Sequence, residues 1–307
     1  MKTETFTFKD AEGVEIFVYR WLPESNVKPK GVVEIVHGMA EHAQRYVRFA
    51  KALTNDGYIV YAPDLRGHGR TAGLLENVGY WGRNGFNKTV IDLKQLRLII
   101  GKEQPGLPIF MFGHSLGAFL AQAYISHHGE TLKGAILSGP SGKQALATLG
   151  IVVSAIQSFL FGPKSRSRLM YKLSFGTYNS FFKPNRTGCD WLSRDEAEVD
   201  KYVDDPYCGG VFTTGFYYDL MCGLKFIHLD RVLRKIPHDL PIYVFGGSLD
   251  PVGEQSKGLL QLVNIYKELG IKDLQYKLYP EGRHESLNEI NRDEVSQDVI
   301  NWLNSHL

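Results

Sequence analysis

The stretch that most constrains this chain runs from Pro108 to Gly117 and reads P-I-F-M-F-G-H-S-L-G. Its apolar run, Ile109 to Phe112, has no period-two alternation, so it reads as a central parallel strand covered on both faces. It passes straight into Gly113-His114-Ser115-Leu116-Gly117, a match to G-x-S-x-G. In that motif the chain turns sharply from strand to helix, and a Cβ at either glycine would collide with its neighbours. The turn presents the Ser115 hydroxyl at the C-terminal edge of a sheet. It also leaves the Leu116 N–H at a helix N-terminus, where it can stabilise negative charge. Ala118, Ala121 and Ala123 are small and helix-favouring, so the helix that follows can pack closely on the sheet. Five residues recur by chance, and a Gly-Ser turn in any α/β protein would match. The flanking strand and helix make Ser115 a candidate nucleophile, which then requires a base, an acid and oxyanion donors elsewhere in the chain.

The rest of the chain supplies a frame for such a turn. Thr5 to Lys9 and Glu15 to Trp21 read as an antiparallel hairpin turning at Glu12-Gly13. Buried strands are expected at Gly31 to Val36, Tyr58 to Ala62, Ala135 to Leu137 and Ile242 to Phe245, with an alternating last strand at Leu274 to Tyr279. Helical spacing separates them: Tyr46, Phe49, Ala50 and Leu53; Val90, Leu93, Leu96 and Ile100; Leu259, Leu262, Val263, Tyr266 and Leu269. Alternating strands and helices predict an α/β fold, a mostly parallel sheet with right-handed crossovers and helices on both faces. Between about Ser141 and Gly210 the alternation stops, with short helical patterns and no convincing strand. Residues 141–210 are therefore expected to form a cap inserted into a core of residues 1–140 and 211–307.

Composition narrows the function. With 307 residues, 43% hydrophobic and 22% charged, the chain has the make-up of an ordinary globular enzyme-sized protein. A net charge of +2 without Lys/Arg runs gives no polyanion surface, so nucleic acid is not an expected partner. Cys189, Cys208 and Cys222 are odd in number and lack metal-ligand spacing, which reads as reduced thiols. The first residues, M-K-T-E-T-F-T-F-K-D, lack the apolar run of a secretory signal, and Leu149 to Phe161 is too short to span a bilayer, so a cytoplasmic location is expected.

A serine nucleophile needs a base to take its proton and an acid to hold that base. Catalytic groups of open α/β sheets collect at the carboxyl ends of strands. That rule selects Asp250, in the Gly-rich turn after Ile242 to Phe245, and His284, just after the last strand. The order Ser115, Asp250, His284 differs from that of chymotrypsin and of subtilisin. His37, His68 and Asp64 also lie at strand ends but precede the serine. His42, His68, His127, His128, His228, His238 and His306 are otherwise expected at surfaces or turns. Asp195, Glu196, Glu198 and Asp200 read as a solvated helix face. The second oxyanion donor should be a backbone N–H in the loop after the Gly31 to Val36 strand, which selects Met39 as partner to Leu116.

The motifs H-G-M-A-E-H-A-Q-R-Y, D-L-R-G-H-G-R-T, G-H-S-L-G, W-L-S-R-D, G-G-S-L-D-P-V and G-R-H-E occur in order over nearly the whole chain. In these the chain resembles the monoglyceride lipase and lysophospholipase branch of the α/β-hydrolases, also labelled serine aminopeptidase-like. The resemblance implies a capped serine hydrolase with Ser115, Asp250 and His284 as triad, and Met39 and Leu116 as oxyanion donors. Ala40 stands where the family usually has glycine, and Thr71 where many members have serine. Glu41, His42 and Arg45, and likewise Asp64, Arg66 and His68, are expected to brace the strand-end loops.

With no metal-ligand spacing and no phosphate-cradling glycine loop, the expected chemistry is acyl transfer to water through an acyl-enzyme, without metal or cofactor. The cap is rich in apolar and aromatic residues: Ile151 to Val153, Ile156, Phe159 to Phe161, Phe175, Tyr178, Phe181 and Phe182. They pack the cap onto the core, line an acyl tunnel, or meet a lipid interface transiently. The substrate placed first is a small-molecule, lipid-like ester such as a monoacylglycerol or lysophospholipid. Short-chain or aryl (cinnamoyl-type) esters, peptides with a free amino terminus, and an inactive binding protein on a hydrolase fold are the alternatives. Oligomeric state is left open.

Overall fold

The computed structural model describes residues 1–307, and its centre is an eight-stranded sheet. The strands are β1 (Lys2–Lys9), β2 (Glu15–Leu22), β3 (Gly31–Val36) and β4 (Tyr58–Pro63). They continue with β5 (Ile109–His114), β6 (Gly134–Ser138), β7 (Ile242–Gly247) and β8 (Leu274–Tyr279). Their spatial order is β1-β2-β4-β3-β5-β6-β7-β8. β1 and β2 form an antiparallel hairpin, β2 pairs antiparallel with β4, and every other pairing is parallel. The order reverses between β3 and β5, and β5 sits inside the sheet with every residue buried. That burial on both faces is what its unbroken apolar sequence requires.

Ten α-helices surround the sheet. In chain order they begin with α1 (Val47–Asn55), α2 (Gly85–Glu103), α3 (Leu116–His128), α4 (Ala147–Phe161) and α5 (Arg168–Phe175). They end with α6 (Glu196–Asp204), α7 (Thr214–Ile227), α8 (Asp230–Leu233), α9 (Lys257–Glu268) and α10 (Arg292–Ser305). One apolar core, with Phe49 and Leu53 of α1 and Val299 and Leu303 of α10, fills one face of the sheet. A larger one, with Leu93 of α2, Leu120 of α3, Tyr217 of α7 and Leu262 of α9, fills the other. The exposed edge strand β8 carries Lys277, which pairs with Glu294 and Asp298 of α10 and puts charge on the open edge. No helix is long and apolar enough to cross a membrane.

Residues 141–210 hold α4, α5 and α6 and no strand, as the loss of alternation predicts. The two halves of this segment differ. α4 packs along α7 but leaves Leu149, Val152, Ile156, Leu160 and Phe161 exposed, with Phe159 89% exposed. The second half is tied to the loop after β8. Arg194 Nε donates to Glu289 at 2.8 Å, Arg283 donates to the Ser193 carbonyl at 3.0 Å, and Arg292 pairs with Asp195 at 2.5 Å.

The charged face expected at 195–200 is therefore only partly solvated. Asp195 caps α6 by accepting from the Ala197 and Glu198 N–H groups, and Glu198 is buried against Arg48 at 2.9 Å. The histidines also correct the expectation, since His42, His68 and His228 are buried and not at the surface. Arg48 lies 150 residues from Glu198, so periodicity within one helix could not reveal the pair.

Candidate active site

The turn at Ser115 is strained in the way its sequence implies. Ser115 has φ 54° and ψ −116°, a backbone conformation that side chains rarely adopt. Its N–H donates to the Ser138 carbonyl at 2.9 Å, and its own carbonyl receives the Ala118 N–H at 2.9 Å to start α3. A Cβ on Gly113 would come within 2.4 Å of the Gly117 carbonyl oxygen, and one on Gly117 within 1.9 Å of the Val36 carbonyl oxygen. The two glycines thus allow β3, β5 and α3 to close on one another beneath the serine.

His284 and Asp250 meet beside it. His284 Nδ1 lies 2.9 Å from Asp250 Oδ2, and both side chains are nearly fully buried. Asp250 Oδ1 accepts the Val252 N–H at 2.8 Å, so the carboxylate is fixed at both oxygens. Burial works against a protonated imidazole, but the Asp250 carboxylate outweighs it and raises the His284 pKa above its ordinary value of 6.5. With Nδ1 held by Asp250, Nε2 is the nitrogen left for a proton from substrate or serine. Ser115 and His284 line one cavity, and no hydrogen bond joins them in this structure. Such contacts commonly tighten only when substrate is bound.

The loop after β3 is fixed by two side chains. His37 Nε2 accepts the Leu65 N–H at 2.9 Å, which leaves its Nδ1–H to donate to the Gly38 carbonyl at 2.7 Å. Burial lowers the His37 pKa to about 3, so the ring stays neutral and keeps that tautomer. Glu41 Oε1 accepts the Gly38 N–H at 2.6 Å and the Tyr46 hydroxyl at 2.8 Å. Because a trans peptide points its C=O and N–H in opposite directions, anchoring the Gly38 carbonyl on His37 turns the Met39 N–H away from it. Neither the Met39 nor the Leu116 N–H is used by another protein group. Gly38 sits against Ser115, where an added Cβ would be 3.3 Å from the serine Cβ.

Arg45 joins the two halves of the site. Its guanidinium pairs with both carboxylate oxygens of Glu285 and with Glu41, each at 2.7 Å. Burial pushes the Glu41 carboxyl up, but Arg45 and the hydrogen bonds more than offset this and keep it ionised. Asp64 accepts the Ala43 and Arg70 N–H groups, Arg66 pairs with Asp92, and His68 Nδ1 meets the Arg66 carbonyl at 2.8 Å. These are bracing contacts. His37, His68 and Asp64 do not line the cavity, whereas Ser115, Met39, Leu116 and His284 do.

That cavity has a volume of about 590 Å³, and 21 of its 37 lining residues are hydrophobic. Leu149, Met170, Phe175 and Phe181 from the 141–210 segment line it together with Leu220 and Leu224 of α7. Trp191 closes it over the histidine: its ring lies 5.3 Å from the His284 ring, and its carbonyl accepts the His284 N–H at 3.4 Å. Sequence reasoning placed Trp191 only in a motif and missed this contact. It likewise missed the orienting hydrogen bond from His37, because both contacts cross between distant segments.

The sheet order, the turn at Ser115 and the buried Asp250–His284 pair define an α/β-hydrolase fold with a serine-hydrolase site. The family model described as serine aminopeptidase, S33, matches residues 27–291, and the chain belongs to that family. It is 28% identical to a monoacylglycerol lipase of Mycolicibacterium smegmatis, over 98% of this chain and 97% of that one. It is also 28% identical to human monoglyceride lipase, over 96% of this chain and 87% of the human one. Among solved structures, a thermostable carboxyl esterase from Bacillus coagulans superposes with a TM-score of 0.92 at 30% identity, covering 99% of both chains.

Proposed function

We propose that the protein hydrolyses single-chain fatty acyl esters, with monoacylglycerols as the leading substrate class. Ser115 is the nucleophile, His284 the general base and then acid, and Asp250 the group that orients His284 and stabilises its charged form. In acylation, Ser115 Oγ attacks the ester carbonyl while its proton passes to His284 Nε2. The resulting oxyanion is received by the Met39 and Leu116 N–H groups, and His284 returns the proton to the departing alcohol. Water then enters by the same route to release the fatty acid.

The observation that carries this reading is the apolar cavity opening onto Ser115 beside the Asp250–His284 pair. Its volume falls within the range of about 300–1,000 Å³ common for small-ligand sites. A long hydrocarbon chain gains roughly 0.8 kcal/mol for each methylene buried there. Support also comes from the lipase relatives that match nearly end to end.

In this reading residues 141–210 are a cap. The exposed face of α4, with Phe159 and Phe161, contacts lipid surfaces transiently from the cytoplasm and delivers a water-insoluble ester. The carboxyl esterase relative favours a second reading, a general esterase for shorter or aryl esters.

The test compares kcat/KM on glycerol monoesters of increasing chain length with short-chain esters, a cinnamoyl ester and an aminoacyl amide. A maximum at medium or long chains is expected. Preference for the shortest or the aryl esters would replace the lipase reading with the esterase one, and preference for the amide would make the enzyme a peptidase.

A further inference from the structure

One cluster of reactive side chains lies outside the catalytic machinery. His42 follows the oxyanion loop, while Asp205 and Cys208 stand in the turn after α6. His42 Nε2 is 2.9 Å from Asp205 Oδ2, and the two side chains are 11% and 30% exposed. The His42 nitrogen, the Asp205 oxygen and Cys208 Sγ all lie within 4.8 Å of one another. The spacing of cysteines along the sequence gave no hint of this, since His42 and Asp205 are 163 residues apart.

We propose that His42, Asp205 and Cys208 bind a thiophilic divalent ion of the zinc class, with a water as fourth ligand. One imidazole nitrogen, one carboxylate oxygen and one thiolate make a mixed N/O/S set, which suits zinc better than magnesium or calcium. At ordinary zinc bond lengths, tetrahedral ligands sit roughly 3.3–3.8 Å apart. The three atoms reach that spacing by shifts of an ångström or so. Binding moves the imidazole proton from Nε2 to Nδ1 and releases the thiol proton to solvent, one proton for each ion bound. Asp205 is steadied from behind by accepting the Tyr207 N–H at 2.9 Å, and Tyr207 packs its ring on His42.

The position gives the ion a distinct effect. None of the three ligands lines the cavity, but their chain neighbours Ala40, Glu41, Gly209 and Gly210 all do. The Gly209 N–H already donates to the Ala40 carbonyl at 2.8 Å. The ion therefore fastens the oxyanion loop to the end of the 141–210 segment from outside the wall, without touching substrate.

Co2+ titration of the full chain tests this with a readout separate from activity. One equivalent should bind, with sulfur-to-cobalt charge-transfer absorption and the strong visible bands of a tetrahedral site. Cys208→Ala should abolish the charge-transfer band while keeping the His42–Asp205 pair. His42→Ala should weaken binding by more than about a hundredfold, the upper end of what losing a ligand's outer partner costs. If His42→Ala does not fold, Cys208→Ala alone decides. Mg2+ should not compete. Uptake without sulfur absorption, a band that survives Cys208→Ala, or no uptake at all would overturn the site.

Discussion

Trp191 lies over the His284 ring at 5.3 Å between centroids, and its carbonyl receives the His284 N–H. The residue that roofs the imidazole thus belongs to the 141–210 segment and not to the sheet. Trp191 fixes the plane of a group whose orientation Asp250 fixes from the other side.

Trp191→Leu should therefore lower kcat and leave KM for a soluble ester nearly unchanged. A misplacement of about 1 Å in a reacting group costs on the order of a hundredfold. Steady-state kinetics will check it. An unaltered kcat would reduce Trp191 to a wall of the cavity.

The pH dependence follows from the Asp250–His284 pair. His284 must be neutral to act as base, and its pKa is raised, so kcat/KM should climb with a midpoint above 6.5 and level off beyond it. Asp250→Asn should drop kcat by about 10⁴-fold, the size of effect seen when a triad histidine loses its carboxylate partner. A rate profile flat from pH 5 to 8 would exclude His284 as the base of the rate-limiting step.

Ala40 holds φ 60°, in the left-handed region, at the position where the resembled family usually has glycine. The conformation costs an alanine about 1–2 kcal/mol. Glycine at the same place gives back roughly 0.5–1 kcal/mol through its freer unfolded chain. Ala40→Gly should thus stabilise the protein by up to about 1.5 kcal/mol net, read as a Tm raised by a few degrees at most. The Gly209 bond uses backbone atoms only and survives the change.

Glu34 sits in the middle of β3 with both carboxylate oxygens unpaired. Burial, only partly offset by Arg97, raises its pKa to about 8 from 4.5. The folded state therefore holds a proton that the unfolded chain releases. Its stabilising contribution is full below pH 4.5 and is lost as pH rises through about 8. Denaturant titrations should show Glu34→Gln gaining on the parent by a few kcal/mol across that window. Parallel curves would mean that Glu34 stays ionised in the fold.

Much of this was legible in the sequence because the relevant signals are local. The apolar run of β5, the glycines around Ser115 and the strand-end turns at Asp250 and His284 each declare themselves within a few residues. The structure brings His284 Nδ1 to within 2.9 Å of Asp250 Oδ2, two residues selected from their places at strand ends. What stayed hidden depends on partners far along the chain. Glu198 looked solvated because Arg48 is 150 residues away, and His68 looked like a turn residue because its covering rings, Phe212 and Phe216, come from α7 and the loop before it. The sequence names polar groups, but their burial is decided by what folds over them.

The unequal anchoring of residues 141–210 has a consequence for how such a protein can change. Residues from Trp191 to Asp195 share hydrogen bonds with the loop that carries His284 and with the start of α10, so substitutions there bear on the proposed base. α4 and α5 have no such ties to that loop, yet they supply Leu149, Met170 and Leu173 to the cavity wall. A chimaera that exchanges only the stretch from α4 to α5 would inherit a new substrate range on unaltered acid–base chemistry. One that exchanges the whole segment would have to relearn both at once.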